Sequence, residues 1–264
     1  MISLRQAKLT DAIPATLAAS ENDEDAPRRQ TETVPDISPL AAHWELDPES
    51  KNGLWTFRAH KPNYFLLGRY TDKVNYQPYD AYLRSVGDPN VGLDHTESKF
   101  QLSFKLKTAE NLFGRGIDVW FGYTQQSYWQ LFSPGISRPF RATDHEPEVI
   151  YVYPTDAQLP GGWRLRYSGV GLVHQSNGQS LPLSRSWNRW YVMTGAEWRS
   201  GWQLHLKAWK RVAESAENDD NPGIQDFVGR GEARLLWNVN DQHILGLTVR
   251  GTPGRGRGSG RLEW

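Results

Sequence analysis

From Trp44 onward the chain alternates apolar and polar side chains in short stretches, and a period of two suits extended strands rather than helices. Residues 99–107 show it most clearly. Phe100, Leu102, Phe104 and Leu106 fall on one face, and Gln101, Ser103, Lys105 and Lys107 on the other. Trp202, Leu204, Leu206 and Ala208 alternate in the same way with Gln203, His205, Lys207 and Trp209. Stretches at 63–70, 116–131, 147–154, 162–174, 185–198, 226–238 and 242–250 bring the candidate strands to nine, separated by Gly, Pro, Asn and Asp clusters that mark turns. The pattern predicts an all-β, antiparallel fold.

Strand length and loop length narrow the architecture. Strands of soluble domains cluster around ~5–6 residues, whereas a strand tilted across a bilayer needs ~9–11. The runs at 116–131, 162–174, 185–198 and 226–238 meet the longer standard. The turns at 198–202 and 238–242 are tight, while the connections at 132–146, 175–184 and 212–225 are long, which is the layout of an outer-membrane β-barrel. Mean hydropathy is −0.66, and no apolar run approaches the ~20 residues of a transmembrane helix. A transmembrane barrel passes that test because its apolar surface occupies only every second position. The 12 Trp and 11 Tyr suit the two rims of such a barrel. A non-catalytic porin or adhesin barrel, or a soluble β-sandwich binding carbohydrate through its Trp residues, meets the same composition.

Thirty bases balance 30 acids, so the chain lacks the basic face that nucleic acid demands, and no nucleic-acid partner is expected. The absence of Cys excludes disulfides, zinc-thiolate sites and thiol nucleophiles. Residues 1–36 are rich in acids and hold no aromatic side chain; residues 1–45 are expected to be poorly ordered, with a barrel domain at 46–264. No export signal is visible at the N-terminus. The Arg-Gly run at 254–258 reads as a loop between strands, with Arg261–Trp264 opening a tenth strand.

The stretch 172–189 carries the candidate chemistry. Residues two apart on a strand share a face, so His174 and Ser176 project together, within reach of a hydrogen bond. Asn177, Gly178 and Pro182 mark a loop, and a symmetric hairpin centred on Leu181 sets Asn188 directly across from His174. A nucleophile, a base and a base-orienting amide then meet within one hairpin. Counting in twos from the pair gives Leu172, Val170, Trp190, Val192 and Thr194, so the candidate site edges a largely apolar face.

His174-Gln175-Ser176-Asn177-Gly178 followed by Ser184-Arg185-Ser186-Trp187-Asn188-Arg189 resembles the signature of the outer-membrane phospholipase A family. Residues 123–131, Pro139-Phe140-Arg141 with Glu146-Pro147, and Asn218-Asp219-Asp220-Asn221-Pro222 resemble that family's other recurring segments in the same order, so the likeness runs from about Leu54 to the C-terminus. It implies a 12-stranded antiparallel transmembrane barrel in the bacterial outer membrane, of which this chain ends about two strands short. It also implies calcium-dependent hydrolysis of the acyl esters of glycerophospholipids, of A1 and A2 type. By resemblance, Ser176 is the nucleophile, His174 the general base and Asn188 the group that fixes the imidazole tautomer. The calcium ligands implied are the Ser184 hydroxyl, the Gln179 carbonyl and the Ser137 carbonyl of a partner subunit, with Gln125 at the interface of a calcium-promoted homodimer. Asn218 to Asn221 lacks the spacing of a twelve-residue calcium loop and reads as a solvated loop.

Overall fold

The strands expected from period-two patterning join into one antiparallel ladder. The computed structural model describes residues 37–74, 92–132, 140–180, 183–198, 201–217, 219–240, 242–252 and 258–264. Its strands are β1 (Arg58–Ala59), β2 (Tyr64–Tyr70), β3 (Thr96–Leu112), β4 (Ile117–Trp129), β5 (Phe140–Gln158) and β6 (Arg164–Ser176). They continue as β7 (Ser186–Trp198), β8 (Trp202–Arg211), β9 (Gly231–Asn238), β10 (Ile244–Gly251) and β11 (Gly258–Glu263). From β3 to β11 each strand pairs with the next, while β1 and β2 both pair with β3. Arg58 faces Lys105 and Tyr64 faces Gln101, so β1 and β2 lie one after the other along β3 and occupy a single place in the ladder. The sheet therefore has ten strand positions.

The sheet is polar on its concave side. On β3 the side chains at Gln101, Ser103, Lys105 and Lys107 are buried, while Leu102 on the opposite face is 56% exposed. On β8, Gln203 is buried and Leu206 is exposed. A soluble sandwich would bury the apolar face, so this inversion is what a strand between lipid and a polar lumen requires. Two buried lumen glutamates are paired in place. Glu148 receives the Tyr191 hydroxyl at 2.6 Å, with Lys61 at 3.3 Å and the His60 ring at 2.8 Å, and Glu97 receives Arg69 and Arg141. A polar cavity of about 800 Å³ is bounded by Lys99 and Gln101 of β3 on one side and by Ser259 and Arg261 of β11 on the other.

Two elements differ from expectation. The candidate strand at 147–154 is the middle of a 19-residue strand, β5, which takes in much of the expected long loop at 132–146. Its lumen-facing positions include Asp144, Glu146 and Glu148, so the two acids that fall in the expected loop, Asp144 and Glu146, are the inner face of a strand. The candidate strand at 226–238 starts late, because Ile224–Val228 forms a short helix, α2. Gly223 and Gly229 flank that helix with φ of 76° and 88°, a backbone region that glycine enters without the Cβ penalty.

Residues 39–44 form helix α1 (Pro39–Trp44), capped by Ser38, whose hydroxyl accepts from the Ala41 amide. Leu40, Ala41 and Trp44 are buried in a cluster with Trp120, Ile150, Val152 and Tyr167. Just after it, Glu45 pairs with Lys107 at 2.7 Å and Lys51 with Asp118 at 2.7 Å, so packed structure begins ahead of residue 46. Burial raises the Glu45 carboxyl, but the hydrogen bonds from Lys107 and Asn52 and the Lys107 charge together outweigh that and hold it below the usual range. These contacts lie at the short-turn end of the sheet, opposite the loops that join β4 to β5, β6 to β7 and β8 to β9.

Candidate active site

The β6–β7 hairpin has the register expected from the sequence: His174 lies across from Asn188, and Ser176 from Ser186. His174 Nδ1 is 2.8 Å from Asn188 Oδ1. An amide oxygen only accepts, so the ring proton resides on Nδ1 and the Nε2 lone pair is left available. Ser176 belongs to the same strand, two residues on. No hydrogen bond joins it to His174 in this structure, and catalytic contacts of this kind commonly tighten only when substrate binds.

The back of the hairpin fixes that register. Gln175 Oε1 accepts from Trp187 Nε1 at 3.0 Å and from Arg189 Nη1 at 2.8 Å, so the residue between His174 and Ser176 grips both neighbours of Asn188. Lower down, Gly171 faces Tyr191 and Gly195 faces Tyr167. A Cβ on either glycine would run into the opposing ring, so each tyrosine lies across a site that only glycine leaves open. On the outer face, Leu172 and Trp190 flank the His174–Asn188 pair and are 58% and 44% exposed. The pair thus edges an apolar, outward surface.

The loops above the hairpin are organised by side chains that sequence reading did not single out. Asn177 donates to the Leu183 carbonyl at 2.8 Å, and its Oδ1 accepts from the Arg185 amide at 2.8 Å and the Gln179 amide at 3.5 Å. One amide therefore binds the segments carrying Gln179 and Ser184. Asp220 accepts from Ser184 Oγ and, at 3.1 Å, from Ser186 Oγ. Asp219 accepts from Arg211, whose hydrogen bond holds the aspartate below its usual range. The segment read as a solvated loop is thus tied to the hairpin, a correction that rests on contacts 34 and 36 residues apart in sequence. Glu214, also unremarked in the sequence, accepts from Asn188 Nδ2 at 2.9 Å and from Arg211 at 2.9 Å.

Among the described residues no three His, Asp or Glu side chains cluster as a metal site. The expected calcium ligands are of another kind, a hydroxyl and main-chain carbonyls. Ser184 and Gln179 lie on the loop braced by Asn177, and Ser137 lies outside the described residues. The Asp220 carboxylate on the Ser184 hydroxyl makes the donor set anionic and all-oxygen, which suits a hard divalent cation.

A curled antiparallel sheet, polar within and apolar without, with a histidine–amide pair and a serine on its outer rim, belongs to the class of outer-membrane β-barrels. The family model of phospholipase A1 matches residues 40–264. The chain belongs to the phospholipase A1 family. It is 39% identical over 252 residues to a candidate phospholipase A1 of Neisseria meningitidis serogroup B, covering 94% of this chain and 63% of that relative. It is 37% identical over 145 residues to the phospholipase A1 of Escherichia coli K12, covering 55% of this chain and 48% of that protein. The chain thus spans less than two thirds of the length of these relatives. Among solved structures it resembles the calcium-bound dimer of Salmonella typhi outer membrane phospholipase, with a TM-score of 0.69 and 29% identity over 80% of this chain and 78% of that one. The E. coli outer membrane phospholipase A gives a TM-score of 0.69 and 30% identity over 79% of this chain and 82% of that one. The chain is an outer-membrane β-barrel protein.

Proposed function

We propose that this protein hydrolyses the acyl esters of glycerophospholipids in the outer membrane, with Ser176 as nucleophile, His174 as general base and Asn188 as the group that orients the base. The observation that carries the reading is the His174–Asn188 hydrogen bond of 2.8 Å at the edge of an exposed apolar face. With Nδ1 protonated and engaged, Nε2 takes the proton of Ser176 as its oxygen attacks the ester carbonyl and returns it to the leaving alcohol. It then takes a proton from water, which attacks the Ser176 acyl ester, and returns it to Ser176 Oγ as the fatty acid leaves. A neutral amide in the orienting position suits a site beside hydrocarbon, where an ionised carboxylate carries a large desolvation cost. Leu172 and Trp190 give the acyl chain an apolar surface beside the reacting groups.

Gln179, Ser184 and Asp220 would hold calcium, together with Ser137 of a second subunit. When bound there, calcium supplies positive charge to polarise the ester carbonyl and its oxyanion. The assembly proposed is a calcium-promoted homodimer with Gln125 at its interface. Gln125 faces Leu102 and His145 across its ladder and shares their outward side, where a polar amide in a lipid belt gains by meeting a polar partner.

The test is hydrolysis of phospholipid in mixed micelles with calcium. Ser176→Ala should abolish turnover, and Asn188→Ala should leave a residue of activity, because only the orientation of the base is lost. Chelation should lower the rate and the yield of cross-linked dimer together. Full activity of Ser176→Ala would end the reading, and chelator-insensitive hydrolysis would remove calcium from it.

A further inference from the structure

We propose that Glu214 is a positioning residue for catalysis: it sets which end of the Asn188 amide faces His174. This rests on the Ser176–His174–Asn188 reading above. A carboxamide offers an acceptor oxygen on one side and a donor nitrogen on the other, and the two orientations occupy nearly the same space. They are opposite in consequence. With Oδ1 toward the ring, the proton is held on Nδ1 and Nε2 is a base. With the NH2 toward the ring, Nδ1 becomes the acceptor, the proton moves to Nε2, and the atom facing the nucleophile can no longer accept a proton. A triad that uses asparagine therefore needs something that an aspartate triad does not, a group that distinguishes the two ends of the amide.

Glu214 is that group. Its Oε1 accepts from Asn188 Nδ2 at 2.9 Å, and an ionised carboxylate is acceptor-only, so the NH2 must point toward it and Oδ1 toward His174. The glutamate is itself held. Its second oxygen accepts from Arg211 at 2.9 Å, its side chain is 18% exposed, and the Val212 amide just before it bonds the Asn188 carbonyl at 2.8 Å, continuing the β7–β8 pairing into the loop. Arg211 does not depend on Glu214 for company, since it also donates to Asp219 and to the Asn221 carbonyl. Among the described residues, the bonds recorded for the Asn188 amide are the two to His174 and Glu214. The same carboxylate accounts for asparagine at position 188, because an aspartate there would set two negative charges against each other.

The test is a double-mutant cycle on the native full-length protein, assayed in calcium-containing micelles. Glu214→Ala should lower kcat on the order of ten-fold with little change in KM, the loss of one charge-assisted hydrogen bond. In an Asn188→Ala background it should cost nothing further. Glu214→Gln should restore most of the activity, since its amide oxygen can still accept. The 15N shifts of the His174 ring should report an Nδ1–H tautomer in the wild type and a mixture in Glu214→Ala, a change that a merely structural role would not produce. An equal loss in both backgrounds, or wild-type turnover in Glu214→Ala, would overturn the proposal. Full activity in Asn188→Ala would instead overturn the triad, and the Glu214 role with it. Should Glu214→Ala fail to fold, Asn188→Asp keeps the question open to test. Its activity should be low and should recover when Glu214→Gln is added; no recovery would overturn the proposal.

Discussion

Leu206 and His205 are neighbours on β8 and face opposite solvents. Leu206 is 43% exposed on the outer side, while the His205 ring lies 3.2 Å from the Tyr167 hydroxyl inside. A charge near the bilayer midplane on the lipid face of a barrel costs ~2–4 kcal/mol, whereas a lumen position meets polar groups. Leu206→Arg should therefore destabilise the protein in phosphatidylcholine vesicles by that amount, measured by denaturant unfolding, and His205→Arg by clearly less. Equal effects would contradict the outward assignment. At this scale the sequence was legible where the information is local. The pairing of His174 with Asn188 followed from the symmetry of one hairpin, because period-two geometry and a turn set the register. Glu214 and Asp220 were not legible, since they reach Asn188 and Ser184 across 26 and 36 residues through a loop with no periodicity to read.

The β6–β7 hairpin holds the candidate residues because its inner face is rigid. Tyr191 lies across Gly171, and its hydroxyl binds the buried Glu148 at 2.6 Å. Gly171→Val would drive the ring out of that place, with an overpacking cost of ~1–3 kcal/mol and the loss of a buried hydrogen bond. Reduced stability together with a lower kcat, at unchanged expression, is the expected result. A variant as stable and active as the wild type would mean that the ring is not needed to hold the hairpin. Strands β3 and β8 were legible as strands because their polar and apolar faces alternate without interruption. Strand β5 is legible only at its centre, because Asp144 and Glu146 lie on its inner face, where Glu146 meets Lys61, and give that stretch the composition of a loop. The start of β9 is not legible in the sequence for the opposite reason. Ile224, Phe227 and Val228 are apolar, and the glycines that make them a helical turn act through positive φ rather than through pattern.

Across the whole sheet the organisation is inside-out. Lys105 and Lys107 are fully buried, while Leu102, Val170, Leu172, Val192 and Val249 are exposed. Lys105 Nζ lies 3.5 Å from the centroid of the Trp44 ring, and Lys107 is paired with Glu45 and Asp118. The short-turn end is thereby packed around α1, and the residues proposed for function lie at the long-loop end and its outer rim. In outer-membrane barrels the short turns face the periplasm and the long loops the exterior. The proposed hydrolytic groups therefore sit at the outer interface, beside the exposed Leu172 and Trp190. A fluorophosphonate carrying a long alkyl chain reaches only a nucleophile activated by a base, and it forms a stable phosphonyl ester. Intact-mass and peptide mass spectrometry of the labelled protein in micelles should find one adduct, on Ser176, that is lost in His174→Ala. An adduct on another residue, or full hydrolytic activity without any adduct on Ser176, would contradict the account.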